Sequence, residues 1–174
     1  MEIRQLNIPD LAQFKAIRIA AVEEFPTSFY PSRQELTDTP DDEFLAQIAP
    51  SEWSAVFAAF DDSELIGIIG MKRDRREKVR HKAEVWGLYV KPSRRGNGVA
   101  RQLVHAGVDH AKLFPEVSVI TLSVSSMNDV ARALYISCGF ELFGTEKNAM
   151  RVDGKFIDEE HMRLDLISTN RESQ

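Results

Sequence analysis

One step in this chain cannot be made with hairpins. The apolar run AEVWGLYV (83–90) reads as a buried strand, and VSVITLSVS (117–125) reads as another. Between them, a segment from Val99 to Phe114 has helical character and is stopped by Pro115. Strands joined through a helix run parallel, with a right-handed crossover. The other strands follow one another through short turns. SAVFAAF (54–60), the turn DDSE and LIGIIGMK (65–72) lead into AEVWGLYV as a meander. FELFGTE (140–146) reads as a strand, and Asp153-Gly154 is a hairpin signal leading into KFIDEEHMRLDL (155–166). In that last run Met162, Leu164 and Leu166 alternate with polar residues.

The remaining elements fall around this frame. Ile3–Leu6 reads as a short strand. Pro9 and Asp10 open a helix in which Leu11, Phe14, Ile17 and Ala21 follow a 3.6-residue period, ending near Phe25-Pro26. Pro26, Pro31 and Pro40 punctuate the next stretch as a connection, and Asp41–Ile48 reads as a short helix. Asn128 caps a helix that runs to about Cys138, with Gly139 as its stop. The order β-α-α-β-β-β-α-β-α-β-β predicts an α/β (α+β) fold. Its central sheet is mixed but mostly antiparallel, with about six or seven strands, one parallel pair in the middle and about four helices. The 174 residues fit a single domain over 1–167, and 168–174 form a polar tail.

Composition narrows the function. Hydrophobic residues are 43% and charged residues 28% of the chain, an ordinary balance for a globular protein. No apolar run reaches 18 residues, so no membrane span is expected. MEIRQLNIPD lacks the apolar core of a signal peptide, and Cys138 is the single cysteine. Both suit the cytoplasm and exclude an intrachain disulfide or a cysteine metal cluster. Four histidines without an HExxH pattern predict no metal. A net charge of −5 argues against a nucleic-acid partner. The run KRDRREKVRHK (72–82), with seven Lys/Arg, is the local exception. It reads as a solvated hairpin tip or as a patch for an anionic ligand.

The stretch RRGNGVA (94–100) sits between the third meander strand and the crossover helix. A helix N-terminus offers unpaired N–H groups and a partial positive charge, which suit phosphate. Gly96 and Gly98 open backbone conformations closed to other residues, and Arg94 and Arg95 add forked donors. The physical reading is a diphosphate cradle; a plain glycine-rich helix entry is the other. A Walker loop is absent, and the third glycine of a dinucleotide-binding GxGxxG is missing.

Two motifs together carry a resemblance. Arg95-Gly96-Asn97-Gly98-Val99-Ala100 resembles the R/Q-x-x-G-x-G/A signature of the GNAT superfamily of N-acetyltransferases. Downstream, MNDVARALYISCGF resembles that family's second signature through Asn128, Ala131, Tyr135 and Gly139-Phe140. The closing DGKFIDEEHMRLDL looks like its terminal hairpin, so the resemblance covers nearly the whole chain.

The resemblance implies an acetyl-CoA-dependent N-acetyltransferase that moves acetyl directly to a primary amine of a small molecule or peptide. A non-catalytic CoA-binding sensor or interaction module is the alternative. It implies that Arg95, Gly96, Asn97, Gly98, Val99 and Ala100 hold the pyrophosphate, and that Leu88, Tyr89 and Val90 pair with the pantetheine arm. Asn128 caps its helix and contacts that arm. Tyr135 is the general acid toward the leaving thiolate, or a tyrosine packed in the core. Glu84 is the first candidate base. By strand alternation it shares a face with Trp86, Leu88 and Val90, or else it pairs with a basic neighbour; His81 is a weaker candidate. Cys138 reads as a small core residue rather than an acyl carrier. Glu23, Glu24, Asp158, Glu159 and Glu160 would favour a cationic acceptor, or are solvated surface. A homodimer is possible by analogy with relatives.

Overall fold

The computed structural model describes residues 1–166; the predicted tail lies outside the described residues. Seven strands form one sheet: β1 (Glu2–Gln5), β2 (Ser54–Asp61), β3 (Glu64–Arg73), β4 (Lys82–Val90), β5 (Val119–Ser125), β6 (Glu141–Val152) and β7 (Lys155–Asp165). Their order is β1-β2-β3-β4-β5-β7-β6. Every pairing is antiparallel except β4 with β5, the crossover pair. The helices are α1 (Leu11–Glu24), α2 (Arg33–Asp38), α3 (Asp41–Ile48), α4 (Val99–Lys112) and α5 (Asp129–Ser137).

Each sheet face carries its own core. On one side α1 and α3 bring Phe14, Ile17, Phe44 and Ile48 onto Val56, Ala58, Ile68 and Tyr89. On the other, α4 and α5 bring Leu103, Val104, Val108 and Tyr135 onto Ile69, Met71, Val85 and Leu122. Covering both faces explains why the central strands read as unbroken apolar runs rather than alternating ones.

Two elements differ from the sequence reading. The proline-rich connection contains a further helix, α2, for which Ser32 and Glu35 form a capping box. Strand β6 runs on past residue 146 to Val152, with a register shift between Glu146 and Met150 and Asn148 at φ 56°. The residues that look like a loop form the outward bend of one long hairpin.

A third difference reshapes the site. Gly70 faces Trp86, and Ile68 faces Tyr89. Two steps along β3 are thus matched by three along β4, a bulge at which Gly87 takes φ 67°. The extra residue reverses side-chain parity. Trp86 and Tyr89 join the α1 core, whereas Ala83, Val85, Leu88 and Val90 join the α4 core. Glu84 lies two residues before Trp86 and shares its face, but not that of Leu88 and Val90. The simple alternation expected for Glu84 is therefore corrected.

Candidate active site

The β4–β5 ladder is short. It holds Lys82 to Val119, Ala83 to Ile120 and Glu84 to Thr121, then ends. Beyond it β4 stays with β3, while β5 stays with β7 as far as Ser125 opposite Glu159. The divergence opens a cleft of about 300 Å³ between Val85–Leu88 and Ser123–Ser125. The backbone edge of β4 beyond Glu84 has no β5 partner, so an extended ligand can pair with it. The chain linking α1 to α2 lines the cleft with Ser28, Phe29 and Tyr30.

At the far end of β4 lies the glycine loop. Gly96 and Gly98 take φ 78° and 76°, and Gly98 is the N-cap of α4. Both need the left-handed region, which favours glycine. Gln102 is the first residue of the helix whose N–H finds a backbone acceptor, on Gly98; the N–H groups from Gly96 to Arg101 have none among the described residues. These unpaired donors lie at the positive end of the 14-residue α4, an arrangement suited to an anion.

The arginines do not point their charge toward this helix start. Arg95 donates to both oxygens of Glu24 at 2.7 and 2.8 Å and to the Val90 carbonyl at 2.8 Å. Its guanidinium also lies over Phe25 and Tyr89. It ties the loop to α1. Arg94 pairs with Asp61 at 2.7 Å. The unpaired donors at this helix start are therefore backbone N–H groups, not the arginine side chains.

Tyr135 lies on α5, is buried and lines the cleft. Its hydroxyl makes no hydrogen bond among the described residues. Burial, and then the neighbouring Cys138, push its pKa well above the ordinary phenol value. It is therefore a neutral donor. Asn128 caps α5 by accepting from the Ala131 N–H at 3.0 Å, and its amide donates to the Ser28 hydroxyl at 3.3 Å. The cap and the cleft wall are the same side chain. Cys138 is partly buried against the α4 core.

Glu84 lines the cleft and pairs with Lys72 at 3.2 Å. His81 does not reach it; it is exposed and lines a separate depression with Lys82 and Arg163. Of the five acidic residues expected to attract an amine, Glu159 alone lines the cleft. It is buried and accepts from the Tyr30 hydroxyl at 2.5 Å. Glu23, Glu24, Asp158 and Glu160 are held by Arg33, Arg95, Lys147 and Arg132. Glu159, Glu146 and His161 bring ligand atoms within 4.8 Å of one another, and Ser123 bonds the His161 ring at 2.9 Å. The basic run is partly interior: Arg73 is buried between Trp53 and Phe114 and paired with Glu116. Sequence reasoning passed over one charged cleft residue, Arg18, because it sits in no recognisable motif.

The parallel pair thus separates into a cleft, with unpaired N–H groups at the start of the helix that follows β4. The chain belongs to the GNAT acetyltransferase family: the model described as "Acetyltransferase (GNAT) family" matches residues 16–140. The N-alpha-acetyltransferase RimI of Mycobacterium tuberculosis is 35% identical over 90 residues, 52% of this chain and 54% of that protein. The match thus spans about half the length of the curated relative. Among solved structures, a ribosomal-protein-alanine N-acetyltransferase from Brucella melitensis is 25% identical with a TM-score of 0.81, covering 95% of this chain and all (100%) of that one. The yncA protein of Salmonella typhimurium, solved with its cofactor acetyl-CoA, shares the fold at 22% identity and a TM-score of 0.82, covering 96% and 94% of the two chains. No helix among the described residues is long and apolar enough to cross a membrane.

Proposed function

We propose that this protein transfers acetyl from acetyl-CoA directly to a primary amine of a small molecule or peptide. One observation supports the reading: beyond Glu84 the edge of β4 has no β5 partner, and it runs from the cleft that Tyr135 lines toward the loop whose N–H groups, Gly96–Arg101, are unpaired among the described residues. The acetyl donor supplies an activated thioester. The loop N–H groups bind its diphosphate, and the free edge of β4 aligns its amide-bearing arm. A backbone N–H at the β4 bulge polarises the thioester carbonyl as the amine attacks.

Free amines are protonated, with a reference pKa of about 10.4, so one proton must leave before attack. Glu84 takes it, directly or through a water. When the tetrahedral adduct collapses, the C–S bond breaks, Tyr135 gives its proton to the departing thiolate, and the second proton of the attacking nitrogen leaves through solvent and restores the phenol. The products are the N-acetyl amine and free CoA. Burial of Tyr135 keeps it protonated until that moment.

Thermal unfolding with acetyl-CoA, CoA and NAD side by side tests the cradle. A ligand at about 100 times its dissociation constant stabilises by about 2.7 kcal/mol. Shifts with both CoA species and none with NAD are expected, followed by thiol release in an amine screen. No shift with either CoA species would refute the cradle. A shift without turnover on any amine would favour a CoA-binding module instead.

A further inference from the structure

The cleft is lined by four charged side chains, Arg18, Lys72, Glu84 and Glu159. Three of them are satisfied within the protein. Lys72 and Glu84 form an ion pair, and Glu159 accepts from Tyr30. Arg18 is the exception. Among the described residues its guanidinium has no carboxylate partner and makes a single hydrogen bond, to the neutral Gln47 side-chain oxygen at 3.2 Å. It lies over the Trp86 ring at 5.0 Å and near Phe14. A guanidinium has five N–H donors, and water satisfies few of them against two aromatic rings. Burial lowers its pKa to about 10, as expected for an unbalanced cation in an apolar setting.

Its position matters as much as its charge. Trp86 pairs with Gly70 and Val90 with Gly67, three strand steps or about 10 Å, and the glycine loop lies beyond Val90, so Arg18 stands back from the proposed diphosphate cradle. It stands instead beside the acceptor end. Glu84 and Trp86 are successive residues on one strand face, about 7 Å apart. Hydrogen bonds of about 3 Å at either end, with the short body of an α-amino acid between them, span such a gap. A cleft of about 300 Å³, shared with the thioester, also favours a small acceptor.

We propose that Arg18 anchors a carboxylate on the acceptor, and that the acceptor is a free amino acid or a close carboxylated amine. The amine faces Glu84 and the thioester, and the carboxylate takes the forked donors of Arg18 with Trp86 as the floor. This rests on the acetyl-transfer reading above.

The test compares L-leucine, L-methionine and L-phenylalanine with their carboxamides, which differ by the charge alone. The amides have the more readily deprotonated amines, so a preference for the acids cannot come from amine basicity. The expected kcat/KM is at least tenfold higher for the acids. In Arg18→Met, which keeps the packing on Trp86, the acid-to-amide ratio should fall by about ten- to a hundredfold. Arg18→Lys should restore part of it. Equal rates for acids and amides, a ratio unmoved by Arg18→Met, or a preference for alanine-led peptides over free amino acids would each overturn the proposal. Should Arg18→Met fail to fold, the wild-type ratio alone decides. If acetyl-CoA shifts the melting temperature but no amine is acetylated, the transfer reading itself falls and this inference with it. If amides are acetylated as well as acids, the transfer reading stands and only the anchor fails.

Discussion

Tyr135 carries the sharpest consequence of any single side chain. Tyr135→Phe removes the proton donor while leaving the ring in its edge-on packing against Phe140. Turnover should fall by about a hundredfold, with acetyl-CoA affinity within about twofold by calorimetry. Because burial raises its pKa, the neutral donor persists as pH rises. An alkaline loss of kcat below about pH 10 would therefore point away from this residue. Tyr89 behaves alike: burial and its bond to Glu24 push it to about 12, so it too stays neutral. Asn128 was legible as a helix cap, whereas Tyr135 was singled out only through the family resemblance, since by periodicity alone it reads as a packed core tyrosine. The sequence left Arg18 silent, since a guanidinium on α1 between Ile17 and Ile19 looks like any snorkelling arginine until Trp86 is seen beneath it.

Among the elements, some were readable and others were not. Helices α3 and α4 and the parallel step follow from periodicity, proline stops and the crossover rule. Helix α2 was hidden because three prolines suggested a loop, although Ser32-x-x-Glu35 was a capping signal in plain view. The divergence of β4 from β5 left no mark in the residues, because it is a property of where pairing stops. Two substitutions probe these elements. A Cβ on Gly70 would lie 2.0 Å from the Trp86 ring, which rests flat against that glycine. Gly70→Ala should cost about 1–3 kcal/mol in urea unfolding and reduce activity by tilting the cleft wall. Gly98→Asp places a side chain at φ 76° and a negative charge at the anion site. The acetyl-CoA melting shift should vanish, while a fold retained by circular dichroism separates loss of binding from loss of structure.

At the scale of the whole molecule, ion pairs join elements: β1 to the start of α1, the glycine loop to α1, and β6 to β7. Arg4 holds the Asp10 carboxyl below its ordinary range, Arg95 does the same for Glu24, and Lys147 for Asp158. A carboxyl whose folded pKa is depressed adds stability that is present above its unfolded value, near 3.8–4.5, and is lost as pH falls through the folded one. The melting temperature should drop below about pH 4 as these carboxyls are protonated, with an earlier decline below about pH 6.5 from His110, whose pKa burial lowers. In Asp10→Asn the deficit against the native chain should shrink as the solution is acidified. The extra residue in β4 acts on this same large scale. A strand is a two-beat lattice, and an inserted beat is a phase slip: every side chain downstream is reassigned to the opposite layer. No exchange of one side chain for another can undo that, because it is a matter of counting. Removing Gly87 alone would leave Trp86 and Tyr89 two positions apart and both still beneath α1, but would erase the bulge that bends the strand beside the cleft. The bulge, rather than any one side chain, is what lets two residues an odd number apart share one layer.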